Sequence, residues 1–440
     1  MAGVIGGNEY SPGTYNIDKI EIKDNDIKWM MIELNIYEDL LSPCITGDIT
    51  IVDTFNLLAN VPFVEGDQIN ISLRCNSDDK MQATVDGGKI EGMFEIIKIM
   101  NRIKVKDNQQ TYTLKFASAG WSTNVRTRIS RSYIQQPYSE IVKDIFYSKF
   151  VSPAGLRGNL KPKELKVEDT SGSFNVIIPR WKPLTCFSWL AGRSRSKYAC
   201  NWLFWEDKEK FHYESVESLM KNESVATYTV SVKNREKVSE QDYFTVSDYE
   251  YIDTGEILYY GLNGVFGNRL LIHDILNKKQ FDYFPVGQES DNFIIKDEYD
   301  YQEMFENLSH TGDGDPLVDS EITDSFSNNP GNARLMVINK HFKQWDETTD
   351  FEYDRWLRQR IAQKQIIKYL KIRVWAVGNF TRKVGDIITF NIPSPEAYNS
   401  SDKDDPRLKG DYLITALRHK FDNNKHIIVM ELIKDCIAKD

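Results

Sequence analysis

Few residues of this 440-residue chain stand at the spacings that catalysis or cofactor binding requires. Gly261, Gly264 and Gly267 follow one another at three-residue intervals, but a dinucleotide-binding loop needs the pattern GxGxxG after a strand. The sequence also lacks GxSxG, a Walker loop, HExxH and CxxC, which mark hydrolases, nucleotide-binding proteins and metal or redox sites. We therefore predict turns at these three glycines, no catalytic residue and no cofactor.

A run of aspartates is the best candidate for a cation site. Asp313, Asp315 and Asp319 supply the carboxylate oxygens that calcium prefers. However, Pro316 follows Asp315, the sixth position of an EF-hand loop lacks its glycine, and Asp324 stands where that loop has a glutamate. The six histidines are far apart in the sequence. We predict a solvated loop here and no metal site.

Charge gives little support for binding of nucleic acid. Arg126, Arg128 and Arg131 form a short basic cluster beside Trp121, which would suit phosphates, but a solvated strand edge or a protein interface is the simpler interpretation. The net charge of -10 is regional, because residues 286–330 hold twelve acidic residues and one lysine. The net charge of the rest of the chain is close to zero, so the charge distribution does not predict binding to DNA or to an anionic membrane.

Composition predicts a folded, strand-rich protein, with 27% charged and 12% aromatic residues. No run of about 18 apolar residues predicts a membrane-spanning helix, and the N-terminus lacks the pattern of a signal peptide. The five cysteines are scattered, which suits reduced thiols in a chain made in a cytoplasm. We expect no membrane insertion.

The clearest pattern is a repeat of one strand-rich unit, once in residues 64–116 and again in residues 384–434. In each copy a Gly-Asp turn opens an alternating run, and a second glycine about 25 positions later restarts the alternation. Apolar residues at every second position are typical of half-buried strands. The matching positions are Gly66, Asp67, Gly92, Phe94 and Ile96 in the first copy, and Gly385, Asp386, Gly410, Tyr412 and Ile414 in the second.

These patterns predict a mainly β protein with α+β insertions and with two related small antiparallel β-barrels in one chain. We expect residues 1–125 to form the first barrel, completed by residues 225–285. Residues 126–224 have helical periodicity and a Trp-rich hairpin, which predicts an α+β insertion domain. Residues 286–333 are predicted to be an acidic excursion or linker, and residues 334–440 a helix followed by the second barrel.

The order of these elements resembles the central baseplate hub protein of contractile-tailed bacteriophages, which is related to the base of type VI secretion spike proteins. The ending carries most of the resemblance, and the middle of the chain follows the same order. The residues concerned are Tyr369–Lys371, Val377–Phe380, Val384–Asn391, Tyr412–Ile414 and His419–Glu431 in the ending, and Glu140, Val176–Pro183, Trp189 and Trp202–Trp205 in the middle.

The resemblance implies a structural protein of the virion, in the tail baseplate, assembled in the host cytoplasm. It implies a homotrimer whose six tail-tube-like barrels match the hexameric tail tube, with the central spike protein on the distal side and other baseplate proteins around it. DNA would pass through the channel without specific binding. The repeat supports this independently, because a trimer matches a sixfold partner only if each subunit presents two similar surfaces.

Two other functions remain open at this point. The insertion domain could be a tail-associated hydrolase that acts on the cell wall, since 65 acidic residues do not exclude a catalytic carboxylate pair. The aromatic content would also suit a tail protein that binds carbohydrate or a receptor, although aromatic residues in strand-rich proteins more often lie in cores or interfaces.

Overall fold

The described residues of this computed structural model are mostly β-strands, connected by a few short helices. The described residues are 12–75, 88–151, 163–196, 199–230, 240–267, 269–274, 279–284, 294–296, 314–315, 321, 325, 333–337, 353–367, 370–393, 404–405, 407–422 and 425–438. The helices are α1 Leu57–Asn60, α2 Ala119–Arg126, α3 Tyr138–Ile145, α4 Pro183–Ala191, α5 Val216–Met220, α6 Ile257–Leu262 and α7 Tyr353–Ile366, with short 3-10 or π turns at Lys28–Met30, Phe146–Phe150 and Glu240–Phe244.

The strands fall into one large sheet and four small ones. They are β1 Tyr15–Ile22, β2 Asn25–Asp26, β3 Met31–Asp39, β4 Thr46–Asp53, β5 Gln68–Cys75, β6 Lys89–Lys106, β7 Gln109–Ser118, β8 Ile129–Gln136, β9 Leu165–Val167, β10 Phe174–Trp181, β11 Trp202–Glu206, β12 Phe211–Ser215, β13 Ser224–Val230, β14 Thr245–Thr254, β15 Arg269–Asp274, β16 Lys279–Phe284, β17 Ile294–Lys296, β18 Gly314–Asp315, β19 Ala333–Val337, β20 Leu370–Val377, β21 Ile387–Asn391, β22 Gly410–Asp422, β23 Lys425–Lys434 and β24 Ile437–Ala438.

Six strands form the first barrel, in the order β1-β5-β6-β7-β4-β3, and each is antiparallel to its neighbours. Alternation in the sequence produces it, because every second residue of β4 is buried, including Ile49 and Ile51. Gly47 fits where the ring of Phe116 passes, since a Cβ there would be 2.3 Å from that ring. The inward side chains form one hydrophobic cluster.

Six strands also form the second barrel, in the order β13-β21-β22-β23-β20-β14. This barrel is closed, because β13 pairs with β14 at Thr229↔Thr245 and Val230↔Val246. Strand β13 is parallel to both of its neighbours, whereas the other pairs are antiparallel. The interior contains Ile372, Phe390 and Met430.

The two barrels have the same chain order and the same neighbour order, so β1, β3, β4, β5, β6 and β7 correspond in position to β13, β14, β20, β21, β22 and β23. The direction differs in one pair, because β1 is antiparallel to β5 whereas β13 is parallel to β21. The predicted fold class is confirmed. The prediction that residues 225–285 complete the first barrel is wrong, because β13 and β14 pair with β21 and β20 of the second. The physical reason is the number of strands available: the first barrel already has six strands before Ala119, while residues 334–440 supply only four of the six strands of the second.

Between the barrels in sequence lies an insertion domain, from β8 through α5. It contains the pair β10-β8, the sheet β11-β12-β9 and helices α3 and α4. Its core is aromatic, with Phe146, Phe150, Phe187 and Phe204 in contact. The predicted hairpin is present as β11 and β12.

Most of the acidic segment 286–333 lies outside the described residues, so its role as an excursion or linker stays a prediction. Its described part includes β17, which joins β16, β15 and β19 in a four-stranded sheet. Strand β18, also in this segment, pairs with β24 at the end of the described chain.

Candidate functional site

The repeat positions form the same turn at the start of β5 and of β21. Gly66 and Gly385 have φ angles of +93° and +88°, in the left-handed region that glycine adopts without a steric cost. In the first copy, Gly66 N donates to Ile96 O at 2.8 Å, and Ile96 N donates to Asp67 O at 2.8 Å. The Asp67 carboxylate accepts a hydrogen bond from Val64 N at 2.6 Å.

The second copy repeats these hydrogen bonds. Gly385 N donates to Ile414 O at 2.9 Å, and Ile414 N donates to Asp386 O at 2.9 Å. The Asp386 carboxylate accepts from Lys383 N at 3.2 Å. The turn therefore fixes where each long hairpin, β6–β7 or β22–β23, leaves its barrel.

The remaining repeat positions lie on the paired strands. Gly92 is opposite Ile71 on β5, and Gly410 is opposite Phe390 on β21. Phe94 and Tyr412 are both buried, and the Tyr412 hydroxyl donates to Leu408 O at 2.7 Å. All of these positions serve the barrels themselves.

The two turns differ in what covers them. A Cβ at Gly385 would lie 3.5 Å from Leu219 and 3.8 Å from Trp205 of the insertion domain, whereas a Cβ at Gly66 would meet nothing within 4 Å. Burial raises the pKa of Asp386, against the lowering effect of Arg382 and Lys383. The insertion domain therefore covers the Gly385 turn of the second barrel, whereas no atom of the described residues covers the Gly66 turn of the first.

The barrels are joined edge to edge by the β22–β23 hairpin. Residues 416–422 of β22 pair with residues 39–33 of β3, and Thr14 bridges Lys425. Phe421 lies in the core of the first barrel, with its ring 5.0 Å from Tyr15 and 5.8 Å from Phe380. The tip of a second-barrel hairpin thus fills the gap between β1 and β3.

A buried charge cluster fastens the insertion domain at this joint. The carboxylate of Glu206, at the end of β11, accepts hydrogen bonds from Ile45 N at 3.1 Å, from Lys163 Nζ at 2.8 Å and from the Ser118 hydroxyl. Lys208 Nζ donates to Phe380 O. The β11–β12 turn therefore contacts both barrels.

His212 is the single histidine in the sequence of the insertion domain. Its two ring nitrogens lie 2.8 Å from Asp207 and 2.7 Å from Glu214, and its ring stacks on Trp205 at 4.7 Å. Burial lowers the pKa of His212, but the hydrogen bonds to the two carboxylates outweigh it and raise the pKa. Burial likewise opposes ionisation of Asp207, yet His212 lowers the pKa of Asp207 to about 2.

This arrangement suits an ion cluster better than catalysis. A general base needs a nitrogen that can take a proton from a substrate, and both nitrogens of His212 already face carboxylates. Nearby Glu38 is buried, and its burial, together with the charge of Asp207, raises the pKa of that carboxyl to about 7. Its Oε2 accepts a hydrogen bond from Val384 N at 3.4 Å. These groups connect the insertion domain to both barrels.

Two solved structures are similar to this chain over nearly its whole length. One is the 43 kDa tail protein of prophage MuSo2 from Shewanella oneidensis, with a TM-score of 0.55 and 11% identity, covering 96% of this chain and 99% of that chain. The other is the tail protein from Neisseria meningitidis MC58, with a TM-score of 0.53 and 10% identity, covering 96% and 97%. Neither a protein-family model nor a curated protein matches the sequence.

The chain has the fold of these phage tail proteins. The resemblance given by the sequence is thereby confirmed at the level of fold, and the comparison spans both barrels and the insertion domain. At such low identity the comparison assigns no role to any single residue.

The other candidates from the sequence do not converge on a site in this tail-protein fold. Arg126 bonds Ser122, Arg128 bonds backbone carbonyls, and Arg131 pairs with Asp144. The glycine series lies at the end of α6 and in the turn that follows. Asp313 and Asp319 lie outside the described residues.

The described parts of the chain contain neither a candidate metal site nor a candidate membrane span. Among those residues, no group of three His, Cys, Asp or Glu side chains could hold a metal ion. No helix within the same ranges has the length and apolar character needed to cross a membrane.

Two histidines that the sequence analysis missed lie at the joint between the barrels. His419 Nδ1 and His426 Nε2 are 3.0 Å apart across the hairpin, and both side chains are buried. Burial lowers the pKa of His419 to about 3, and burial, with the charge on His419 and Lys208, holds the pKa of His426 well below its usual value. The sequence contains a signal for this joint. Phe421 lies beside a hairpin turn, where an aromatic side chain would be exposed unless another element covered it.

These lowered pKa values predict a loss of stability in acid. The unfolded chain takes up protons on His419 and His426 below about pH 6.5. The folded protein keeps His419 neutral down to about pH 3, and the pKa of His426 also lies well below its usual value. Stability is therefore fully present above pH 6.5 and falls by about 1.4 kcal/mol per pH unit for each histidine as the pH decreases. We expect His426→Phe, which retains an aromatic ring against Phe421, to lower this slope by one histidine's share. Urea unfolding at pH 7, 6 and 5 measures it, and equal slopes in the two proteins would contradict the assignment.

Proposed function

We propose that this chain is the structural hub of a phage tail baseplate and that it has no enzymatic activity. The observation that carries the proposal is the presence of two barrels with the same strand order in one chain, joined edge to edge through β3 and β22. The proposed assembly is a homotrimer with six barrels around a channel. It would join the hexameric tail tube to the threefold central spike, within the virion and among the other baseplate proteins.

Symmetry supplies the physical reason for a doubled barrel. A ring of three subunits repeats each surface three times, so it matches a sixfold partner only if every subunit presents two similar surfaces. The two hairpin-anchoring turns, at Gly66 and Gly385, show how alike the barrels are at the level of single hydrogen bonds. This likeness supports a sixfold contact with a tail tube.

The insertion domain supports a threefold contact at one end of the same ring. It covers the Gly385 turn and leaves the Gly66 turn open, so in a ring of alternating barrels every second turn would be covered. That end would then present threefold symmetry, as the central spike requires. The channel would pass DNA without specific binding, and assembly would take place in the host cytoplasm.

The mass of the purified protein tests the proposal. Native mass spectrometry should give three times the chain mass of 51.0 kDa, and electron microscopy of the particles should show a ring of six lobes. A particle of any other stoichiometry, both alone and with tube and spike proteins, would overturn the hub. Zymography on peptidoglycan tests the hydrolase alternative. Lysis by the wild type that is abolished by substitution of a single carboxylate residue would favour an enzyme.

A further inference from the structure

The tip of the β6–β7 hairpin extends beyond the first barrel. Strand β5 covers one edge of β6 only as far as Glu95, and the hydrogen bonds of the Gly66 turn extend this to Ile96. Beyond Ile96, no strand in the described part of the chain pairs with this edge. Ile103 and Val105 at the tip are 61% and 54% exposed, whereas Phe421, at the tip of the corresponding β22–β23 hairpin, is buried.

The counterpart hairpin shows what such a tip does. In the second barrel β22 pairs first with β21 and then, on the same edge, with β3 of the first barrel. Because Gly92 and Ile96 correspond to Gly410 and Ile414, residues 98–100 of β6 correspond to residues 416–418 of β22. The tip of β6–β7 therefore occupies the position from which β22–β23 reaches a neighbouring barrel.

The edge that would receive this tip is also present. Strand β14 corresponds to β3, because β14 pairs with β20 as β3 pairs with β4. By this correspondence residues 248–251 match residues 33–36. Strand β13 covers β14 only at Thr245 and Val246, and the described residues include no strand on the rest of that edge. Tyr251 and Ile252 are 46% and 38% exposed there.

Charge on the tip and the edge is complementary. In the joint within the chain, the carboxylate of Glu33 on β3 forms ion pairs with Arg418 at 3.2 Å and with Lys420 at 3.5 Å, both on β22. By the same offset, Arg102 and Lys104 of the β6–β7 tip correspond to Lys420 and Asp422 of β22. Asp248 and Glu250 of the β14 edge correspond to Glu33 and Asn35, the residues that pair with Asp422 and Lys420. Two basic residues of the tip would therefore face two acidic residues of the edge.

The present partners of these charges do not prevent a second contact. Arg102 bonds Gln110 at 2.9 Å and Lys104 pairs with Asp107 at 3.1 Å, both within the same hairpin. Glu250 pairs with Arg373 at 3.4 Å. Such exposed pairs contribute little to stability, so they can rearrange when a partner arrives.

We propose that the β6–β7 tip of one copy adds as a strand to the β14 edge of a second copy, as β22 adds to β3 within the chain. The register is defined to within one residue, because β6 has a bulge between Met100 and Ile103. Ile103 then lies near Tyr249 and Tyr251 at the edge of the partner's second barrel. Only the number of copies rests on the proposed hub function.

Each copy has one tip and one edge, so the contact is heterologous. Such contacts close into a ring when the rotation permits and otherwise form open chains. Here the contact between copies repeats the contact within the chain, and alternating the two gives a ring in which every barrel meets its neighbour in the same way. Six barrels correspond to three copies.

Charge reversal tests the contact. A tip-reversed variant, Arg102→Glu with Lys104→Glu, and an edge-reversed variant, Asp248→Lys with Glu250→Lys, should each associate roughly 100-fold more weakly than the wild type, because like charges then face each other. The control is Lys149→Glu with Lys221→Glu, two exposed lysines of the insertion domain, which should assemble normally. Native mass spectrometry and sedimentation measure the assembly, and thermal melting checks that each variant is folded.

Combining the variants makes the test specific. One chain that carries all four substitutions has complementary tip and edge again and should recover the wild-type assembly. A mixture of the tip-reversed and edge-reversed proteins should associate in alternation, which a ring with an odd number of copies cannot complete. The mixture should therefore form dimers or longer chains and no closed trimer.

The outcomes separate the contact from the hub. Loss in both variants, with recovery in the fourfold variant, supports the contact, and a wild-type mass other than three copies would then refute the hub alone. Trimers that persist in both reversed variants would refute the contact while leaving the hub intact. A wild type that stays monomeric up to its solubility limit would overturn both.

Discussion

Phe390→Asp is expected to yield no folded protein. Phe390 is completely buried inside the second barrel, with its ring 6.1 Å from Tyr412 and 6.3 Å from Tyr249. Truncation of a buried Phe alone costs about 3–5 kcal/mol, and an ionised carboxylate in the same place adds the cost of burying an unpaired charge. Since a domain is typically stable by only about 5–15 kcal/mol, this one change approaches the whole stability of the fold.

The neighbouring residue of the same strand supplies the control. Asn391 is partly exposed, so Asn391→Asp, which also introduces a carboxylate, should change the free energy of unfolding by only about 0.5 kcal/mol. Soluble yield, circular dichroism and the urea midpoint compare the two variants. A cooperative unfolding transition for Phe390→Asp at the wild-type midpoint would show that β21 does not line the barrel.

The same strand shows how far the sequence predicts the fold. Alternation from Ile387 to Asn391 predicts a strand with one buried face, but Ile387, Ile388 and Phe390 are all buried. The reason is that Trp205 and Leu219 of the insertion domain belong to the same hydrophobic cluster, so the strand is covered on both faces. Periodicity reports local burial and does not say which distant element supplies the cover.

Pairing partners were harder to predict than strands. The sequence assigns residues 225–285 to the first barrel, whereas β13 pairs with β21, which lies more than 150 residues further along the chain. The turns at Gly66 and Gly385 are predictable because a Gly-Asp pair before an alternating run is a local signal, and glycine adopts the positive φ of these turns without a steric cost. The contacts of Glu206 with Ile45 and Ser118 depend on tertiary packing and left no local signal.

Phe421→Ala is expected to loosen the joint between the two barrels. The Phe421 ring fills the core of the first barrel, although its strand begins in the second, and it stacks on His426 at 4.3 Å. Its removal should cost about 3–5 kcal/mol, because it leaves a cavity in a packed core. The loss should be local first: backbone amides of β3, which pair with residues 416–422, should exchange with solvent faster, while those of β20 should keep their protection.

Lys425→Ala, in the same hairpin, is the control for Phe421→Ala. The comparison tests whether the Phe421 side chain or the strand pairing holds the hairpin in place. Lys425 is exposed at the start of β23, so its truncation leaves the core of the first barrel intact and should change stability by about 0.5 kcal/mol or less. Hydrogen exchange followed by mass spectrometry compares the two variants at the same peptides. Unchanged protection of β3 in Phe421→Ala would mean that the hydrogen bonds between β22 and β3 suffice for the joint. By the correspondence of the two hairpins, a strand contact between copies would then need no apolar residue at its tip, and charge alone would select the partner edge.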